Sequence, residues 1–370
     1  MSSALTLPKL VFGPGKIAEL AVELALLGIT RTLLVSDRGL ERAGTVALVR
    51  QAAPALDACF LDIPENPTAA GADLAATAYR QARCDGIVAL GGGSVIDTAK
   101  LVAALVTSDV GSAAALIGKA ELITAPAATL IAIPTTVGTG SESSLVAALH
   151  IAARGPAIGT RSVLLVPKVA LCDPDLARTL PPRLIAATGI DALSHCIEGY
   201  FAEPANPEID ALALDGIARV CASIHAALEP SGDDARGSLM MAAFAGGAAI
   251  HKGLGPAHAV ALACGDQDIH HGTLIAAALP HTTRLLAQHV PGKAAHVAAA
   301  MGLGHGEEIG DALAALTGSL GLPATIRAAG YRMDDLDKLV AELVASPFNR
   351  TSPYVPTSDE YRSLALALLA

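Results

Sequence analysis

Residues 85–105 read DGIVALGGGSVIDTAKLVAAL: a short β-rich run, three glycines and a serine, then an apolar helical stretch. A strand that passes directly into a helix belongs to a parallel sheet, whose neighbouring strands need a long crossover between them. The first half of the chain repeats this order. Strands are expected at 32–36 (TLLVS), 85–90 and 130–133 (LIAI), and helices at 15–27, 45–52, 69–82 and 95–105. The fold class implied is α/β, a parallel sheet with helices on both faces.

After Pro181-Pro182 the β-branched runs stop. Helical periodicity predicts helices at 186–200, 207–227, 236–250, 272–288, 307–320 and 333–345. The tail, 349–370, opens as a polar loop and closes as a short helix. Two domains are therefore expected, an α/β domain over 1–178 and an all-α domain over 179–370. Alanine-rich and nearly aromatic-free, the chain suits closely packed helices.

Charge narrows the partners. The formal net charge is −10 and no basic cluster occurs, which argues against nucleic acid and against an electrostatic membrane tether. The apolar windows at 239–250 and 122–133 fall short of the ~20 residues a spanning helix needs, so no membrane span is expected. Cys59, Cys84, Cys172, Cys196, Cys221 and Cys264 form no CxxC pair, which disfavours structural zinc and a disulfide framework. Residues 1–10 lack the charged and apolar regions of a secretory signal. The expected setting is a reducing cytoplasm.

Gly91, Gly92, Gly93 and Ser94 suit a pyrophosphate, since glycines allow close approach and the following helix start presents free N–H groups. A plain strand–helix turn explains them equally well, and GxGxxG is absent. Asp37, after the first expected strand, is placed to accept bonds from a ribose 2′-hydroxyl and to repel a 2′-phosphate; a helix cap is the alternative. The loop PTTVGTGSE (134–142) either lines the same nucleotide or opens a helix as a capped turn. Asp191 and His195, four apart, share one helix face. With His258 and His271 they form a plausible Fe²⁺ or Zn²⁺ site, with Glu198 behind it. An ordinary Asp–His surface pair is the alternative.

Taken together, GGGS with Asp97, PTTVGTGSE, CDPDL (172–176), AATGIDALSHCIEGY (186–200), GLGPAHA (253–259) and HHG (270–272) resemble the iron-containing (group III) alcohol dehydrogenases along nearly the whole chain. The resemblance implies a dehydroquinate synthase-like architecture: an N-terminal dinucleotide-binding α/β domain and an all-α domain, with a cleft between. It implies metal ligands Asp191, His195, His258 and His271, with His270 a rival for the last. It implies NAD(H) contacts from Asp37, Asn66, Gly92, Gly93, Ser94, Asp97, Thr135, Thr136, Thr139 and Ser144.

Two positions depart from the family pattern. Leu262 stands where many members carry a second histidine, and Ala157 where they often carry a lysine. With leucine there, the proton leaves through water, a cofactor ribose hydroxyl or His270, and His270 is the candidate catalytic residue. The activity implied is NAD-dependent, metal-dependent hydride transfer between a small primary alcohol, or a short ω-hydroxy acid such as 4-hydroxybutyrate, and its aldehyde. The metal acts as Lewis acid. Arg350 or Lys252 is a candidate for a substrate carboxylate, and a solvated surface cation is the plainer reading of each. Alternatives are a maleylacetate-type reductase, a dehydroquinate synthase-like lyase and a non-catalytic NAD or metal sensor. A homo-oligomer, in the simplest case a homodimer, is expected.

Overall fold

The computed structural model describes residues 5–53, 56, 58–152, 155–304 and 309–370. Residues 1–4, with which the N-terminal signal reading begins, and the expected helix start at 307 lie outside these. The chain divides into two compact units, Met1–Leu180 and Pro181–Ala370.

The first unit is built on a six-stranded sheet. Its strands are β1 (Lys9–Phe12), β2 (Thr32–Val35), β3 (Ala58–Phe60), β4 (Gly86–Gly91), β5 (Thr129–Pro134) and β8 (Val169–Cys172), in the order β1-β8-β5-β4-β2-β3. Every pairing is parallel. Alternate residues explain why both faces are covered. Leu33, Val35, Ile87 and Ala89 face one core, with helices Ala69–Gln81 and Gly93–Leu105. Leu34, Val88, Leu90, Ile131 and Ile133 face the other, against helices Leu20–Leu26 and Thr45–Ala52.

The strand order also sets where a ligand can sit. From β2 the chain moves outward to β3, then returns to place β4 on the other side of β2. Ligands of open parallel sheets bind beyond the strand ends at such a reversal. Asp37 follows the end of β2, and Gly92-Gly93-Ser94 follow β4. The register pairs Gly91 with Pro134, so the loop after β5 emerges beside the glycines. That loop opens no helix. It runs into an antiparallel hairpin, β6 (Val146–His150) with β7 (Ala157–Arg161), which strand-and-helix alternation did not anticipate. The CDPDL motif acts as a structural tie. Its buried Asp173 carboxylate accepts from Gly15 N at 3.1 Å and Ile17 N at 2.8 Å, binding the N-terminal turn to β8.

The second unit is helical. Pro182–Phe201, Pro207–Leu228 and Asp233–Ala249 pack around one another, followed by Pro256–Ala263 and His271–His289. The helix at 256–263 and another at Pro291–Ala300 were not expected from periodicity. Pro207–Leu228 is long and apolar enough to cross a membrane by length and composition, a window the search for unbroken apolar runs passed over. Its buried Ile209, Ala213, Gly216, Ile217, Val220 and Ile224 form one stripe. Glu208, Asp215 and Arg219 lie off that stripe, the pattern of an amphipathic bundle helix.

Candidate active site

Asp191 and His195 sit one turn apart on the helix Pro182–Phe201. From Ile185 to Phe201 every residue of that helix is buried. Such a helix needs small residues on its neighbours. A Cβ added to Gly246 would lie 2.9 Å from His195 Cβ, one on Gly216 2.5 Å from Cys196 Sγ, and one on Gly199 2.6 Å from Ala249 Cβ. Gly246 thus lets the helix Asp233–Ala249 press directly on the His195 side chain.

His258 enters from the short helix Pro256–Ala263, whose first residue is a proline with no N–H to satisfy. The buried Glu198 carboxylate meets the helix start. It accepts from Gly255 N at 2.9 Å, Ala257 N at 2.7 Å and His258 Nδ1 at 2.6 Å. A carboxylate can only accept, so Nδ1 carries a hydrogen; in the neutral ring, the form that binds a metal, Nε2 then offers its lone pair. Gly255 is small for a reason: an added Cβ would stand 2.9 Å from Glu198 Oε1. Gly253, at φ +144°, faces Thr351, whose hydroxyl donates to Leu254 O at 3.1 Å. The C-terminal segment thereby holds the loop that carries His258, and Phe348 lies edge-on to the His258 ring at 5.8 Å.

The ligand atoms converge. His195 Nε2 and His271 Nε2 each lie 3.7 Å from Asp191 Oδ1, and His258 Nε2 lies 4.0 Å from it. The ligating atoms of Asp191, His195 and His258 all fall within 4.8 Å of one another. Ligands ~2.0–2.2 Å from a common centre have about this spacing. Asp191 Oδ1 and His258 Nε2 are buried and have no hydrogen-bond partner among the described residues. Burial pushes the Asp191 carboxyl up to about 7, against the pull of His258. Two orphaned buried acceptors facing one another fit a divalent cation. An exposed surface pair, the plainer reading of Asp191 and His195, does not describe them.

His271 opens the helix His271–His289, and half of its side chain is exposed. Gly272 lets that helix start rest on the ligand helix, since an added Cβ would lie 2.5 Å from Ala187 O. His270 is the half-buried N-cap residue of the helix His271–His289, directly beside His271, whose Nε2 stands 3.7 Å from Asp191 Oδ1. Leu262 lies one turn beyond His258 and has no group that moves a proton. Lys252 is buried; its ammonium pairs with Asp210 and donates to Tyr200 O at 3.1 Å. It is neither the surface cation expected nor free for a substrate. Arg350 is exposed at the end of the turn Pro347–Arg350.

In the first unit the glycines and the 134–144 loop pack on each other. Thr135 N donates to Gly91 O at 3.1 Å. A Cβ on Gly92 would stand 3.0 Å from Thr136, and one on Gly93 3.1 Å from Thr139. Ser94 Oγ donates to Glu65 O at 2.5 Å, beside the exposed Asn66. Asp37 caps the helix Arg38–Arg42, accepting from Leu40 N at 2.9 Å. Asp97 Oδ2 accepts from Ala148 N at 2.9 Å. Ser144 is buried, and its hydroxyl bonds Lys100 and Val146. Lys100, Glu142, Phe348 and Thr351 were not singled out from the sequence. Lys100 left a signal there as a lone cation in an apolar helix, and Glu142 as the last residue of PTTVGTGSE.

The model of the iron-containing alcohol dehydrogenases matches residues 8–174, and that of the family's C-terminal part matches 185–368. The chain belongs to this family. The enzyme is an oxidoreductase acting on CH–OH groups, with small alcohols or aldehydes as substrates. It is 39% identical over 364 residues to the 4-hydroxybutyrate dehydrogenase of Cupriavidus necator, covering 95% of each chain. It is 31% identical to alcohol dehydrogenase 4 of Schizosaccharomyces pombe, over 96% of this chain and 86% of that one. Among solved structures, 1,3-propanediol oxidoreductase matches with a TM-score of 0.91 at 28% identity over 99% of both chains. Sulfoacetaldehyde reductase from Bifidobacterium kashiwanohense, in complex with NAD⁺, matches at 0.90 and 26% identity, over 100% and 99%.

Replacing Glu198 with Gln keeps one acceptor but removes the charge that holds His258 Nδ1–H. Divalent-metal affinity is expected to fall roughly 10–100-fold, with far-ultraviolet circular dichroism unchanged. Chelator competition measures it, and an unaltered dissociation constant contradicts the role given to Glu198.

Proposed function

We propose that the enzyme interconverts a short primary alcohol and its aldehyde with NAD(H), using one divalent metal held by Asp191, His195, His258 and His271. The observation that carries this reading is the convergence of Asp191 Oδ1 and His258 Nε2, buried, unpartnered and braced from behind by Glu198. Iron is the first choice and zinc the second, because carboxylate and imidazole ligands suit both. When bound, the metal supplies Lewis acidity toward the substrate oxygen, and the nicotinamide supplies or takes the hydride. Short ω-hydroxy acids of the 4-hydroxybutyrate kind lead the substrate list, on the 39% identity to that dehydrogenase.

Residues 1–178 take the dinucleotide and 179–370 the metal in this proposal. Gly92, Gly93 and Ser94 at the helix start receive the pyrophosphate. Asp97 lies in the first turns of the same helix, Thr135, Thr136 and Thr139 on the loop packed against the glycines, and Asn66 near Ser94. No disulfide joins the cysteines among the described residues; a cytoplasmic setting and a homodimeric assembly are part of the proposal.

The deciding experiment is anaerobic reconstitution with Fe²⁺ or Zn²⁺, then a screen of alcohols and aldehydes at the reduced-nicotinamide absorbance. Turnover of 4-hydroxybutyrate or a similar alcohol is expected, lost on the order of 1000-fold in Asp191→Ala. Turnover of none retires the proposal, and a preference for maleylacetate moves it to that reductase class. Asp37 retains free acceptor capacity beyond its cap. Asp37→Ser should raise use of NADP relative to NAD about tenfold or more; an unmoved ratio of kcat/KM values removes Asp37 from cofactor choice. Of the three routes left once Leu262 replaces a histidine (water, a cofactor ribose hydroxyl and His270), His270 is the one proposed. His270→Ala should flatten one limb of the pH–rate profile, and an identical profile strikes His270 out.

A further inference from the structure

Lys100 is among the largest fully buried side chains of the protein, at 0% exposure on the helix Gly93–Leu105. Burying an ammonium is expensive unless it is paired and hydrogen-bonded. Its surroundings show how that is met. The Nζ atom donates to Val146 O at 2.7 Å, Ser144 O at 3.0 Å and Ser144 Oγ at 3.0 Å. Asp97 Oδ1 lies 3.6 Å away, and the other Asp97 oxygen accepts from Ala148 N at 2.9 Å. The helix that begins at the glycine loop is thus fastened at two successive turns to the segment 144–148, where the loop 134–144 ends. Glu142, 1% exposed, completes the cluster.

We propose that Lys100 is a positioning residue for the dinucleotide: it holds the threonine loop 135–144 at a fixed height over Gly92 and Gly93. The fit leaves little slack. Thr136 and Thr139 already stand where a Cβ on either glycine would be, at 3.0 and 3.1 Å. A loop released from Lys100 would ride up, and Thr135, Thr136 and Thr139 would lose their register against the pyrophosphate. Burial also works against charge on each group, lowering Lys100 and raising Asp97 and Glu142.

The inference rests on the NAD reading, so the wild-type enzyme is measured first. If metal-loaded wild type fails to bind NADH by fluorescence titration, that reading and this one both fall. If it binds, Lys100→Met is expected to weaken NADH roughly 10–100-fold. KM for NAD should rise likewise, KM for the alcohol should stay within about twofold, and Lys100→Arg should recover most of the loss. Amides 135–146 should exchange faster in Lys100→Met. Should that variant be insoluble, Lys100→Gln, which keeps an N–H donor, takes its place with the same expectations. NADH affinity equal to wild type, or equal losses in NAD and alcohol KM, overturns the role while leaving the NAD reading intact.

Discussion

A carboxylate taken out of water must be given charge or hydrogen bonds in return, and the helical unit is arranged around that demand at Asp191. Its helix is enclosed on every side, so the carboxylate cannot reach solvent. The imidazoles of His195, His258 and His271 stand within 4.0 Å of its Oδ1. Glu198, two helical turns further on, meets the same demand in the opposite way, taking two backbone N–H groups and the His258 Nδ1–H. One acid is fully satisfied and the other is left open, and a cation resolves the difference. Breaking either arrangement leaves an uncompensated buried charge, about 3–5 kcal/mol by the usual scale for such losses.

The parallel-sheet unit answers a different constraint. The ends of β4 and β5 lie side by side, so two glycine-bearing loops must share one small space. Glycine at 92 and 93 is required there by approach, not by backbone angle: Gly92 sits at φ −80°, a value open to any residue. The same holds for Gly246, Gly255 and Gly272 in the helical unit. In each case the missing Cβ is where a working side chain or a helix start rests.

Much of this was legible in the sequence because the decisive signals were local. The Asp191–His195 spacing lies within one helix, and Gly91 to Ser94 follow directly on a strand. What escaped was set by contacts distant in the chain. The hairpin β6–β7 was missed because its residues alternate weakly and mimic loop. The helix Pro256–Ala263 was too short for periodicity to show. Lys252 read as a surface cation because nothing near it in sequence announces Asp210, its partner across the bundle. The pairing of Glu198 with His258 spans sixty residues, and Thr351 reaches Leu254 across ninety-seven. Helical phase placed Glu198 behind the site but could not say which histidine it would hold.

The crowding around Asp191 and His195 has a bearing on how such an enzyme diversifies. Where glycine hydrogens already touch the next helix, almost any replacement is purged before it can be tried for a new chemistry. Arg350, by contrast, is exposed in a turn fastened through Asn349 and Thr351, next to Phe348, which packs edge-on to the His258 ring. Tolerance to change is therefore unequal: the helices around Asp191 and His195 are held by contacts that one added methyl group would break, while the Arg350 side chain stands exposed.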